Sequence, residues 1–154
     1  MGASAPIRLG GLCALLSAAA LLGDRPLLQL LSGLVFLGVL VAVLRATEGL
    51  GAAAHIAFAG GLVHFAVAAT GLDTDRAAQA AQIGAALLIF ATSVVVWRTN
   101  VFPRWSALGA VLGILPLAHG WAPTAAAWST LGWLVFIGVL MLAAPPVVRV
   151  RPAG

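Results

Sequence analysis

Six long apolar runs fill almost the whole chain: Ile7 to Gly23, Leu27 to Leu44, Gly49 to Leu72, Ala77 to Trp97, Trp105 to Trp121 and Thr124 to Ala144. Each is close to the roughly 17 to 25 residues that cross a bilayer as a helix. In hydrocarbon a chain must satisfy its own N–H and C=O groups, which only α-helices and closed β-barrels achieve. These runs lack the polar–apolar alternation of a barrel strand, so helices are expected. With 8% charged residues, against roughly 25% in a soluble domain, no part of the chain reads as a water-soluble head. The expected fold is therefore all-α. It is an integral membrane bundle of six transmembrane helices at about residues 7–23, 27–44, 49–72, 77–97, 105–121 and 124–144, forming a single transmembrane domain over 1–154. Connections such as Asp24-Arg25-Pro26 and Ala122-Pro123 are so short that consecutive helices must be antiparallel neighbours.

Orientation follows from arginine, because excess positive charge is retained in the cytoplasm. Arg8, Arg45, Arg98, Arg104, Arg149 and Arg151 fall on one side of a six-span topology, and Arg25 and Arg76 on the other. Both termini are expected in the cytoplasm. Trp97, Phe102 and Trp105 beside Arg98 and Arg104 form an aromatic belt at that side, with Trp121 and Trp128 near the outer interface. A rival reading treats the first run as a secretory signal, since Arg8, a short apolar stretch and Ala18-Ala19-Ala20 also have that order. Heavy use of Ala, Gly and Arg without Lys or Tyr suggests a GC-rich bacterial genome, which would place the chain in the bacterial plasma membrane. The arginines stand singly or in pairs between apolar runs rather than in a basic stripe, so nucleic acid is not an expected partner. The lipid bilayer is.

The second half carries a resemblance. Trp97-Arg98-Thr99, Val101-Phe102-Pro103-Arg104-Trp105 and Leu108-Gly109-Ala110-Val111-Leu112-Gly113, within Ile83 to Ala144, resemble uncharacterised small polytopic bacterial membrane proteins with a Pro-Arg-Trp cytoplasmic turn. The turn has a plain physical sense: Pro opens a helix, Arg holds the cytoplasmic side and Trp anchors the interface. The resemblance implies membrane topology and no activity.

Polar groups collect in the outer half of the bundle. On helix three, Gly60, Gly61 and His64 share a face with small alanines, and small residues mark where membrane helices approach. His64 is thus expected to point inward, while His55 lies about 180° away among bulky residues. Gln79, Gln82, Ser93 and Asn100 fall within a narrow arc of helix four. His64, Gln79, Gln82 and His119 are the candidate cavity residues, with Gln29 and Ser129 in the same half. Two readings stand open. The polar groups either tie helices together, at about 0.6 kcal/mol per hydrogen bond, or line an outward cavity for a small solute or for protons passing through His64.

On helix five, Pro116 removes a backbone donor and crowds the Leu112 carbonyl, so a kink is expected. Gly109 and Gly113 form a GxxxG pair suited to close packing on another helix or another subunit. Asp73 and Asp75 are expected to cap helix four, and Glu48 to pair with Arg45 or Arg98. There is no HExxH, GxSxG or Gly-rich phosphate loop, and the lone Cys13 forms no metal or redox motif. His64 and His119 differ in depth by about 9 Å, too much for axial ligation of one upright haem. No cofactor and no enzymatic activity are therefore expected. The leading function on sequence grounds is a non-enzymatic accessory, scaffold or homo-oligomeric membrane subunit, and the alternative is a small-solute or proton transporter or channel.

Overall fold

The computed structural model describes residues 4–48, 51–70, 74–118 and 121–146. Six helical segments follow one another: α1 (Ser4–Leu22), α2 (Pro26–Glu48), α3 (Ala52–Ala69), α4 (Asp75–Thr99), a 3₁₀ helix (Arg104–Gly113) that runs into the short α5 (Ile114–Leu117), and α6 (Pro123–Ala143). Five of them, α1, α2, α3, α4 and α6, are long and apolar enough to span a bilayer. The chain is a multi-pass helical membrane protein. Its surface fits that solvent, since Leu9, Leu12 and Leu16 of α1, Phe58 and Leu62 of α3, and Val135 and Val139 of α6 all face outward.

Each segment packs on the next, and α6 returns to α1, so the helices close into a ring; α4 also touches α2 and α6 across it. Phe36, Leu37 and Leu40 of α2, Phe65 of α3, Leu88 and Ile89 of α4, and Trp133, Ile137 and Met141 of α6 fill the middle. Phe36 meets Trp133 edge to face at 6.2 Å between ring centres, a favourable aromatic geometry. Closure depends on two glycine crossings. A Cβ placed on Gly11 would stand 2.7 Å from the Gly138 carbonyl oxygen, and one on Gly138 would stand 3.0 Å from that of Gly11, which joins α1 to α6. Gly60 and Gly84 face each other the same way, each Cβ position 2.6 Å from the other's carbonyl oxygen, which joins α3 to α4.

The expected α-helix at 105–121 is replaced by the 3₁₀ helix and one turn of α5, ending at Leu117. A 3₁₀ helix turns about 120° per residue, so i and i+3 align. Trp105, Leu108 and Val111 recur at that interval and are exposed, which makes a straight apolar ridge toward lipid, and Ile114 and Leu117 of α5, also exposed, continue the apolar surface. The same geometry separates the glycines of the GxxxG pair. Four residues turn about 40° beyond a full circle in an α-helix but about 120° beyond it in a 3₁₀ helix. Accordingly Gly109 meets Trp133 and Phe136 of α6, while Gly113 meets Ile89 and Phe90 of α4. Pro116 has no N–H to offer the Leu112 carbonyl, and the Ser129 hydroxyl on α6 donates to that oxygen instead.

The ends of the helices show which polar groups are spent on structure. Asp24 takes a left-handed conformation (φ 50°) that lets the Arg25 N–H reach back to the Ala20 carbonyl, and Pro26 then opens α2. Glu48 does not pair with Arg45 or Arg98: its carboxylate accepts the Ala54 N–H at 3.0 Å and so caps α3. At α4 the cap is Thr74, whose hydroxyl oxygen accepts the Ala77 N–H at 3.2 Å, with Asp75 in the first turn. Asp73, Arg149 and Arg151 lie outside the described residues.

Candidate functional site

At the end of the ring where α1 and α3 finish and α2, α4 and α6 begin, a cavity of about 220 Å³ opens between the helices. All five contribute to its wall: Leu21 from α1, Gln29 from α2, His64, Val67 and Ala68 from α3, Ala77, Ala78, Ala81 and Gln82 from α4, and Ala127 and Thr130 from α6. The cause is side-chain size. Alanines at 68, 77, 78, 81 and 127 are too small to fill the ring here, whereas Phe36, Phe65 and Trp133 fill it further in.

His64 is placed by the Gly60–Gly84 crossing. A Cβ on Gly84 would lie 2.8 Å from the His64 backbone nitrogen, so only glycine there permits the approach of α3 to α4. The approach brings His64 Nδ1 within 3.0 Å of the Ala81 carbonyl oxygen. A carbonyl only accepts, so Nδ1 carries the proton and, in the neutral ring, Nε2 is left as an acceptor. Nε2 is buried and has no hydrogen-bond partner among the described residues. Gln29, 4% exposed, carries a second such atom in the same wall, its side-chain Nε2, which is a donor. A third polar pair is already satisfied: the Thr130 hydroxyl, 3.0 Å from Gln82 Oε1 and 3.1 Å from the Ala126 carbonyl oxygen, is shared as donor between them.

The wall is thus apolar with a small set of uncharged polar groups, and among the described residues no Asp, Glu, Lys or Arg lines it. It offers hydrogen bonding to a neutral molecule and no charge to hold an ion. Among the described residues no group of three His, Cys, Asp or Glu is placed to hold a metal.

Of the residues singled out from sequence, His64 and Gln82 line this cavity together. Gln79 does not join them. It is exposed and borders a separate cavity with Ile114, Leu117, Ala118 and Trp121, because three residues turn an α-helix about 60° short of a full circle. His119 lies outside the described residues. His55 is exposed, its Nδ1 3.1 Å from the Gly51 carbonyl oxygen. Gly60 and Gly61 sit at contacts with α4 and with Leu37 of α2 respectively. Sequence reasoning passed over Thr130 and Gly84 and left Gln29 outside the candidate set. Gln29 carries a readable signal, an amide inside an apolar run, whereas Thr130 bonds its own helix backbone and Gly84 is one small residue among many.

Compared with known proteins, the chain matches no family model, no curated protein and no solved structure.

Proposed function

We propose that this protein binds or passes a small uncharged polar solute through the cavity beside His64 and Gln29, without covalent chemistry, in the bacterial plasma membrane. One observation carries the reading. Two buried side-chain nitrogens of opposite hydrogen-bonding character in the wall of one cavity, His64 Nε2 and Gln29 Nε2, have no partner among the described residues. A buried polar group left unpaired costs about 1 to 3 kcal/mol, so a molecule that offers both a donor and an acceptor gains from entering. The absence of charge from the wall favours a neutral solute over an ion. A proton route is less well supported, because among the described residues no carboxylate lines the cavity to relay from His64.

The accessory or scaffold reading draws on the scarcity of charge and on the lack of a transporter-like internal repeat. Gly109 and Gly113 both turn toward the chain's own helices, so the GxxxG pair adds no contact for a second subunit to that reading. Six arginines against two favour cytoplasmic termini, an orientation in which the cavity would open at the outer face. A sixth crossing is supported by length. Ten 3₁₀ residues at about 2.0 Å and four α residues at about 1.5 Å reach about 26 Å, close to the about 27 Å of the 18-residue α3.

The test is stopped-flow swelling of proteoliposomes with urea, acetamide and glycerol, alongside thermal stabilisation of the purified protein by the same solutes. Wild type should admit or be stabilised by at least one of them. Gln29→Leu and His64→Asn should abolish that response, and His55→Asn should keep it. Swelling equal to that of protein-free vesicles together with no thermal shift refutes the reading, as does an unaltered response in both cavity variants.

A further inference from the structure

At the opposite end of the molecule a groove of about 390 Å³ runs between α4 and the 3₁₀ helix. Phe90, Ser93, Val94, Ala107 and Ala110 line its deeper part, and Trp97 and Arg98 stand at its mouth. From Arg98 to Phe90 the groove runs about 12 Å at 1.5 Å per residue, from the last turn of a spanning helix toward the middle of the bilayer. Its width has a local cause, because Ala107 and Ala110, three apart on a 3₁₀ helix, stand in line and leave a trough where larger side chains would close it.

The chemistry at the mouth is one-sided. Among the described residues, Arg8, Arg45, Arg98 and Arg104 lie at this end with one acid, Glu48, whose carboxylate is engaged by the Ala54 N–H. Arg104 donates through Nε to Asn100 Oδ1, held by the left-handed turn of Asn100 (φ 54°) that ends α4. Arg98 is exposed and makes no ion pair with a described residue.

We propose that this groove binds one anionic phospholipid, with the headgroup phosphate on the Arg98 guanidinium and an acyl chain along Val94, Ala107, Ala110 and Phe90. A guanidinium fork meets two phosphate oxygens at once, and an exposed Trp97 belongs at the headgroup level. A zwitterionic headgroup suits the mouth less well, because its own cation would face Arg98 and Arg104 with no free acid nearby. The site is independent of the solute cavity, which lies at the other end of the ring.

The experiment is retention of lipid by the full-length protein purified from vesicles of equal amounts of phosphatidylglycerol and phosphatidylcholine, read by native mass spectrometry. Wild type should keep phosphatidylglycerol over phosphatidylcholine by about fivefold, the contribution of one arginine near an anionic surface. Arg98→Gln should bring the ratio near unity, and Ala110→Leu, which fills the groove and keeps every charge, should do the same. Arg8→Gln should leave the ratio unchanged. Excess inorganic phosphate should fail to displace the lipid. The proposal is overturned if wild type retains both lipids equally, a result that requires no variant. It is also overturned if Ala110→Leu keeps the preference, if Arg8→Gln lowers it as much as Arg98→Gln, or if inorganic phosphate displaces the lipid, which would mark a bare phosphate site.

Discussion

Replacing Gly84 by Ala tests how the cavity is held together. The added Cβ would stand 2.6 Å from the Gly60 carbonyl oxygen, 2.8 Å from the His64 backbone nitrogen and 3.2 Å from Val63 Cβ. The two nearest atoms are backbone and cannot swing aside, so α3 and α4 must separate by roughly 0.5 to 1 Å to restore ordinary contact. Overpacking of this kind costs about 1 to 3 kcal/mol, and the better helix propensity of Ala returns up to about 1 kcal/mol. The expected net loss is about 1 to 2 kcal/mol. The same separation would stretch the 3.0 Å contact of His64 Nδ1 with the Ala81 carbonyl oxygen toward the limit of a hydrogen bond, freeing the ring to reorient. Solute-induced stabilisation should therefore fall along with stability. Gly38→Ala is the matched control, because a Cβ there meets nothing within 4 Å; propensity alone should leave it neutral or up to about 1 kcal/mol more stable. The assay is equilibrium unfolding in detergent, followed by helical circular dichroism. The reasoning is refuted if Gly84→Ala is as stable as wild type, or if Gly38→Ala loses as much.

Ser129→Ala removes the donor that serves the Leu112 carbonyl beside Pro116, and should cost about 1 to 2 kcal/mol in the same unfolding assay. Ser32→Ala, whose hydroxyl lies 2.6 Å from the Leu28 carbonyl within its own helix, should cost little. Glu48→Ala uncaps α3 and should destabilise by about 0.5 to 2 kcal/mol, whereas Arg45→Ala should be near neutral; equal losses would restore an ion pair between them. A reporter active only outside the cytoplasm should stay silent when fused after Gly154 and become active when inserted beside Trp121, and the reverse pattern would invert the topology.

Solvent and chain length make the spanning helices legible in the sequence. Runs near 20 apolar residues leave the backbone no partner but itself, so helices at α1, α2, α3, α4 and α6 and antiparallel neighbours follow from composition and from short connections. Small residues on one face of α3 likewise announced a close contact at Gly60, because lipid-facing positions have no need to be small. Tertiary structure decided the rest. Helices apolar all round carry no amphipathic stripe, so periodicity cannot separate inside from outside, and about 60° of rotation divides Gln79 from Gln82. Which glycine meets Gly60, that Ser129 serves Leu112, and that Glu48 caps α3 are registers between segments, and sequence does not print registers. The fifth segment departs furthest. Its apolar residues at 105, 108, 111, 114 and 117 hold a period of three that is legible once a 3₁₀ helix is considered, but Pro116 alone suggests a bent α-helix. The cavity depends on five helix ends converging with too little side chain to fill the space, a shortage that exists only after the ring has closed.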